Sequence, residues 1–228
     1  MKKLLLPIVL LAIAAGAAMY FWAQSRGTAA AGVAATLPGM PSTTGAAGTA
    51  AGKKPARVIP EVLPDFTLAT LEGPPRALSS YQHPSLIVNF WATWCAPCRR
   101  EIPLLRQLRA ERGARGVEVL GIAVDFREDV EKYVAKIGLD YPLMIGEEDG
   151  LAAADAFGID PAFPFTVFAD AQRRIVAVKV GELHADEAAF ILDHIELLNA
   201  GRLPLKEVQS LIRAELLRLE AQRTEKPA

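Results

Sequence analysis

The stretch FWATWCAPCRREIP, Phe90 to Pro103, holds both cysteines of the 228-residue chain and two of its three tryptophans. Two cysteines cannot form a multiply stapled scaffold, and a four-ligand structural zinc site needs two more Cys or His ligands at suitable spacing. A disulfide so local stabilises a fold modestly through chain entropy, whereas two neighbouring thiols form a redox couple. The pair is therefore read as chemical rather than structural. Upstream, SLIVNFWA (Ser85 to Ala92) is a short apolar run rich in β-branched and aromatic residues, as in a strand buried on both faces. Downstream, Pro97 suits a first helical turn, Leu104, Leu105 and Leu108 form one apolar face, and Gly113 and Gly116 close the segment. A second apolar run, VEVLGIAV (Val117 to Val124), completes a strand, helix, strand unit, for which a right-handed parallel crossover is expected.

In this layout Cys95 begins the helix, where unpaired N–H groups and the macrodipole favour an anion. Cys98 falls on the same face one turn deeper, within reach of a disulfide. Lowering a thiol pKa from about 8.5 to about 7 raises the thiolate fraction roughly sixteenfold near neutrality. Reduced basicity takes back roughly fivefold, so the net gain in attack rate is about threefold. Reduction potential matters more, since about 30 mV corresponds to about 1.4 kcal/mol for a two-electron couple.

Working outward, PDFTLATLEG (Pro64 to Gly73) reads as strand and turn. Helices are expected at Glu128 to Lys136, Gly150 to Phe157 and Ala185 to Asn199, and strands at Tyr141 to Met144, Phe165 to Ala169 and Ile175 to Val180. Glu147, Glu148 and Asp149 read as a solvated loop before Gly150. After Gly201 and Pro204, Leu205, Val208, Leu211, Ile212, Leu216 and Leu219 recur at helical spacing, predicting an amphipathic helix that packs on the domain or serves a partner. His83, His184 and His194 stand apart from the cysteines and read as solvated or capping residues.

The N-terminus carries Lys2 and Lys3 before an uncharged run from Leu4 to Ala23, about the length a bilayer-spanning helix requires. Tyr20, Phe21 and Trp22 fit an interfacial belt, although Ala15-Gly16-Ala17 could be a cleavage site. The expectation is an anchor or signal segment over residues 1–23, single-pass in the cytoplasmic membrane, with the rest on the outer, disulfide-permissive side. Residues 24–58, rich in Ala, Gly, Thr and Pro, read as a flexible linker spanning roughly 30 Å. Residues 59–200 read as one α/β domain and residues 201–228 as a C-terminal amphipathic helix and tail. A net charge of -1 offers no positive field for nucleic acid.

Trp94 and Pro97 beside the cysteine pair, between strand and helix, give the chain a likeness to the WCxPC motif of the thioredoxin fold. More closely it resembles the TlpA/ResA/CcmG (DsbE) branch of membrane-tethered thioredoxin-like proteins, through PDFTL (Pro64 to Leu68), VNFWATWCAPCRREIP (Val88 to Pro103) and FPFTVFAD (Phe163 to Asp170), over roughly Leu63 to Leu198. The resemblance implies a central mixed sheet flanked by helices, Cys95 as attacking nucleophile and Cys98 as resolving thiol. Many thioredoxins place a buried Asp in the strand before the motif, where this chain has Asn89, which cannot accept a proton. ResA-like proteins place a carboxylate three residues after the second cysteine, here Glu101, implying a proton acceptor; the residues themselves equally allow a solvated glutamate paired with Arg99 or Arg100. Pro103 is expected to kink its helix.

The resemblance further implies a cis Phe163-Pro164 bond beside the disulfide, with the Phe163 backbone pairing with an extended substrate segment and Pro164, which lacks an N–H, facing the disulfide; Trp94 is expected to form exposed contact surface beside Cys95. The chain departs from its relatives in reading Phe163-Pro164-Phe165-Thr166, with an apparent extra residue at Pro161-Ala162, so Phe165 belongs either to an aromatic groove or to the core. Trp91 is expected to pack beneath the motif. The implied function is thiol-disulfide exchange with exported clients, such as apocytochrome c or copper-handling proteins, with electrons from a membrane thiol transporter and no cofactor or resident metal. The rival reading is a Cu(I) metallochaperone using both thiolates. A peroxide-reducing relative ranks last, because it needs a differently placed cysteine.

Overall fold

The computed structural model describes residues 58–160 and 162–225. The expected anchor at 1–23 and nearly all of the expected linker lie outside the described residues. Among the described residues no helix is long and apolar enough to cross a membrane.

Seven strands form one mixed sheet: β1 (Thr67–Thr70), β2 (Arg76–Ala77), β3 (Ser85–Trp91), β4 (Val117–Ala123), β5 (Leu143–Ile145), β6 (Phe165–Ala169) and β7 (Ile175–Val180), in the order β2-β1-β5-β4-β3-β6-β7. Strand β3 lies at the heart of it, parallel to β4 and antiparallel to β6. Every residue of β3 is buried, as its largely apolar run predicts, with Asn89 as the polar residue inside it. Ile87 and Trp91 face one core layer, and Leu86, Val88 and Phe90 face the other. Among the described residues five α-helices complete the fold: α1 (Ala96–Arg112), α2 (Arg127–Ile137), α3 (Glu148–Ala156), α4 (Ala185–Asn199) and α5 (Leu205–Glu225). The first layer receives buried residues from α1, α2, α4 and α5, and the second is closed by α3 and the segment from Leu63 to Tyr81. The expected mixed sheet flanked by helices is therefore present.

Two local expectations are corrected. Glu148 and Asp149 form the first turn of α3 rather than a loop, because carboxylates are favoured at the positive end of a helix. The strand expected at Tyr141 to Met144 is shifted to Leu143–Ile145, where Gly121, Ile122 and Ala123 of β4 are its partners. Helix α1 runs through Pro103 without ending.

The C-terminal helix lays Val208, Ile212 and Leu219 against the domain, while Leu211 and Leu217 remain exposed. Gln209 Nε2 also donates to the Ile175 carbonyl on β7, so α5 is tied to the sheet by a polar contact as well as an apolar one.

Candidate active site

The site is built where β3 ends and α1 begins. Val124 N–H donates to the Trp91 carbonyl, and Asp125 accepts from both the backbone N–H (2.8 Å) and the hydroxyl (2.6 Å) of Thr93. These bonds hold the end of β3 to the end of β4 and fix the turn that delivers Cys95. Cys95 has extended backbone geometry and is the N-cap of α1, with Pro97 in the first turn. Its sulfur accepts the N–H of Cys98 at 3.3 Å, in the manner of a capping oxygen. No acidic residue lies in that first turn, so nothing within it opposes negative charge on Cys95.

Cys95 and Cys98 are joined by a disulfide, with Cα atoms 5.3 Å apart. Cys98 is wholly buried and Cys95 is 5% exposed. An incoming reactant therefore meets Cys95 first. Trp94 beside it is 68% exposed, a large apolar ring in water at the edge of the disulfide. Its ring stands edge-on to Phe163 at 6.3 Å between centroids. The Phe163–Pro164 peptide bond is cis, as the resemblance implied, and Phe163 packs against the core layer that contains both cysteines. Phe165 turns inward instead: it is fully buried and stacks on Phe90 at 4.3 Å. Of the aromatic side chains around Pro164, Phe163 and Trp94 thus border the disulfide and Phe165 is core. Trp91 is fully buried, tilted against Tyr133.

Glu101 is 1% exposed, which excludes the solvated reading. Arg100, offered as its partner, binds Glu182 instead, and Arg99 is exposed. Helical spacing places Glu101 one turn beyond Cys98 on the inward face of α1. Its Oε1 accepts from Asn89 Nδ2 at 2.7 Å and its Oε2 from the Leu183 N–H at 2.7 Å. Asn89 Nδ2 also donates to Thr166 Oγ1 at 3.0 Å, across the β3–β6 register that pairs these two residues. Burial raises the Glu101 carboxyl from its ordinary value to about 7; the bonds from Leu183 and Asn89 and the Lys179 charge oppose this, while Glu182 reinforces it. A carboxyl poised near neutrality can both take and return a proton under physiological conditions.

Sequence reasoning set Asn89 aside because an amide cannot accept a thiol proton. Its structural part is to donate to the group that can. Asn89 Oδ1 is buried without a hydrogen-bond partner among the described residues. A half-turn of the amide exchanges donor for acceptor, so the same side chain can serve Glu101 in either protonation state. Strand periodicity gave a signal: Asn89 shares a face of β3 with Ile87 and Trp91, beneath α1. The Leu183 N–H, a backbone group on a distant loop, carried none.

A model of the AhpC/TSA family matches residues 59–178. Thiol-disulfide oxidoreductase ResA of Geobacillus thermodenitrificans (strain NG80-2) is 32% identical over 145 residues, covering 63% of this chain and 80% of that protein. Among solved structures, a secreted thiol-disulfide isomerase from Corynebacterium glutamicum has a TM-score of 0.53 at 33% identity, over 60% of this chain and 85% of that one. A thiol:disulfide interchange protein of the thioredoxin family from Chlorobium tepidum TLS has a TM-score of 0.51 at 30% identity, over 62% of this chain and 97% of that one. Residues 59–178, which the family model matches, include the Cys95–Cys98 pair, Glu101 and the Phe163–Pro164 turn. With its thioredoxin-like α/β fold and its disulfide at a helix N-terminus, the chain belongs to the AhpC/TSA family, as a thiol-disulfide oxidoreductase of the ResA kind.

Proposed function

We propose that this oxidoreductase is tethered to the cytoplasmic membrane by its N-terminal segment, faces the extracytoplasmic side, and reduces disulfides in exported clients. The observation that carries the chemical part is the pairing of a surface-facing cysteine at a helix N-terminus with a buried cysteine one turn from a buried carboxyl. In the reducing direction the Cys95 thiolate attacks a client disulfide, forming a mixed disulfide and expelling one client thiolate. Glu101 takes the Cys98 proton, and the Cys98 thiolate attacks the Cys95 sulfur. The second client thiolate leaves and collects a proton, the client gains two electrons, and the enzyme is left with the Cys95–Cys98 disulfide. A membrane thiol transporter would return two electrons to the pair. The tether and its orientation are supported by Lys2 and Lys3 ahead of the apolar run from Leu4 to Ala23, and the clients by kinship with ResA. Apocytochrome c and copper-handling proteins are the client classes that kinship favours.

Copper carriage is the weaker reading, since Cys98 is wholly buried and would have to emerge to bind a metal delivered from solution. Peroxide reduction needs a peroxidatic cysteine placed elsewhere, and the chain has none beyond Cys95 and Cys98.

Direction and sidedness are tested together by treating intact cells with a membrane-impermeant alkylating reagent after rapid quenching. A reducing enzyme on the outer face gives a pool mostly modified at Cys95. A pool that resists modification until chemical reduction points to an oxidant. Modification only after lysis places the domain on the inner side.

Trp94 and Phe163 are assigned to client contact. Because Trp94 is largely exposed, Trp94→Ala is expected to leave the melting temperature within about 2 °C of wild type, while raising KM for a protein client roughly tenfold, the loss of one aromatic anchor. Turnover of a small linear disulfide such as oxidised glutathione should change little. Equal loss on both substrates would move Trp94 from client contact to support of the disulfide.

A further inference from the structure

The C-terminal helix lies beyond residues 59–178, yet its last turn reaches the first turn of α4, next to the loop that binds Glu101. Arg223 Nη1 donates to Glu187 Oε1 at 2.8 Å, and its Nη2 binds Asp186. Glu187 is wholly buried in the first turn of α4 and accepts Lys179 Nζ on the same oxygen at 2.9 Å. Its other oxygen accepts the His184 N–H at 3.0 Å. The preceding N–H, that of Leu183, is the donor to Glu101 Oε2. A path of hydrogen bonds therefore runs from Arg223 through Glu187 and two adjacent backbone N–H groups to Glu101. Two cations on one buried carboxylate are more than its neutralisation requires, and the redox mechanism makes no other use of Glu187 or Arg223.

The groups that face Glu101 can be counted element by element. Helix α1 contributes Cys98 and, at the surface, Arg100; the latter is taken up by Glu182 of the loop after β7. Strands β3 and β6 contribute neutral Asn89 and Thr166. Tyr141, just before β5, is held in the neutral form by its own burial and, secondarily, by the Glu101 charge. His184 adjoins Leu183 and contributes its backbone N–H to Glu187. The remaining cation acting on Glu101 is Lys179 of β7, whose charge favours the ionised carboxyl. Were Lys179 the sole partner of Glu187, the two would form a neutral pair. With Arg223 and its second carboxylate Asp186 included, Lys179, Arg223, Glu187 and Asp186 sum to zero, and without Arg223 the cluster would carry a net charge of -1.

We infer that Arg223 is a positioning residue for Glu101: by bridging Glu187 and Asp186 it keeps the charge cluster around Lys179 neutral and holds the Leu183 N–H on the catalytic carboxyl. This rests on Glu101 acting as proton acceptor for Cys98. The C-terminal helix is then part of the redox apparatus, not only a cover for the sheet.

The test is the pH dependence of dithiol-disulfide exchange in the purified full-length chain, comparing wild type with Arg223→Gln, Arg223→Lys and Glu101→Gln. Glu101→Gln identifies the limb that belongs to Glu101. Removing one partly exposed charge, screened by an effective dielectric of about 20, is expected to move the midpoint of that limb upward by about half a pH unit in Arg223→Gln. Arg223→Lys, which keeps the charge, is expected to stay within about 0.2 of wild type on the same argument. A chain ending at Gln222 retains Val208, Ile212 and Leu219 and should repeat the Arg223→Gln shift, so poor folding of the point variant leaves the question answerable. An unmoved midpoint in these charge-removing variants, even with a lower melting temperature, overturns the inference and leaves Arg223 a structural clamp. A wild-type limb that survives Glu101→Gln overturns both this inference and the reading of Glu101 on which it rests.

Discussion

Cys95→Ser is expected to abolish disulfide reduction, by at least about a thousandfold against a dithiol-dependent assay, because no other sulfur in the chain can begin the exchange. Cys98→Ser should fail differently. Its Cys95 remains at the helix N-terminus and still attacks, but the resulting mixed disulfide has no resolving partner, so enzyme and client accumulate as a covalent adduct visible on non-reducing gels. Stability should distinguish loss of chemistry from loss of fold. A disulfide spanning Cys95 to Cys98 contributes about 2 kcal/mol in the chain-entropy account, so both serine variants should remain folded. A Cys98→Ser protein that turns over at the wild-type rate without forming the adduct would remove the dithiol mechanism.

Glu101→Gln carries the second large effect, and stability and rate should move in opposite directions. The folded carboxyl titrates at about 7 against an ordinary value of 4.5, so between these limits the folded state binds more protons than the unfolded state. Stability is therefore full below about pH 4.5 and falls as pH rises towards 7, by an amount on the order of 3 kcal/mol for a shift of this size. Glutamine cannot ionise, so the variant should lose that pH dependence. At pH 8 it should be more stable than wild type by roughly 1 to 3 kcal/mol, the range allowing for an amide that satisfies the Asn89 and Leu183 donors less well. Resolution of the mixed disulfide should slow by about a hundredfold near neutrality, the lower end of general-base effects. Denaturant titrations at pH 5 and pH 8, paired with single-turnover kinetics, measure both. A wild-type stability that is flat between those pH values would mean that Glu101 is not the buried titrating group.

Much of this was readable before any coordinates. The strand at Ser85 to Ala92 announced itself because burial on both faces forces a largely apolar run, and the cysteine helix because proline and leucine spacing mark its start and inner face. The family pattern supplied the cis bond at Pro164, which local sequence cannot, since an X-Pro bond is cis in only about one case in twenty. Glu101 was ambiguous for a physical reason. Three residues from Cys98 it shares a helical face, but Arg99 and Arg100 offered a surface pairing, and only the distant loop at Leu183 decides which side is inside. Phe165 was ambiguous in the same way, until its stacking on Phe90 across the β3–β6 pair placed it in the core. Glu148 and Asp149 read as loop because charge density suggests solvation, although the same charges favour a helix start. What stayed hidden was non-local: the Thr93–Asp125 clamp spans 32 residues, and Arg223 reaches Glu187 across 36.

The most direct measurement is the order in which the two thiols of the fully reduced protein react. Brief exposure to a limiting amount of an alkylating reagent at pH 7, followed by peptide mapping, reports which sulfur is both ionised and accessible. If the N-terminal end of α1 activates Cys95 while Cys98 waits as a buried thiol beside Glu101, the label falls on Cys95 in nearly every molecule and Cys98 is modified only after denaturation. Preferential labelling of Cys98, or equal labelling of both, would contradict the assignment of Cys95 as the attacking group and Glu101 as the proton acceptor behind it.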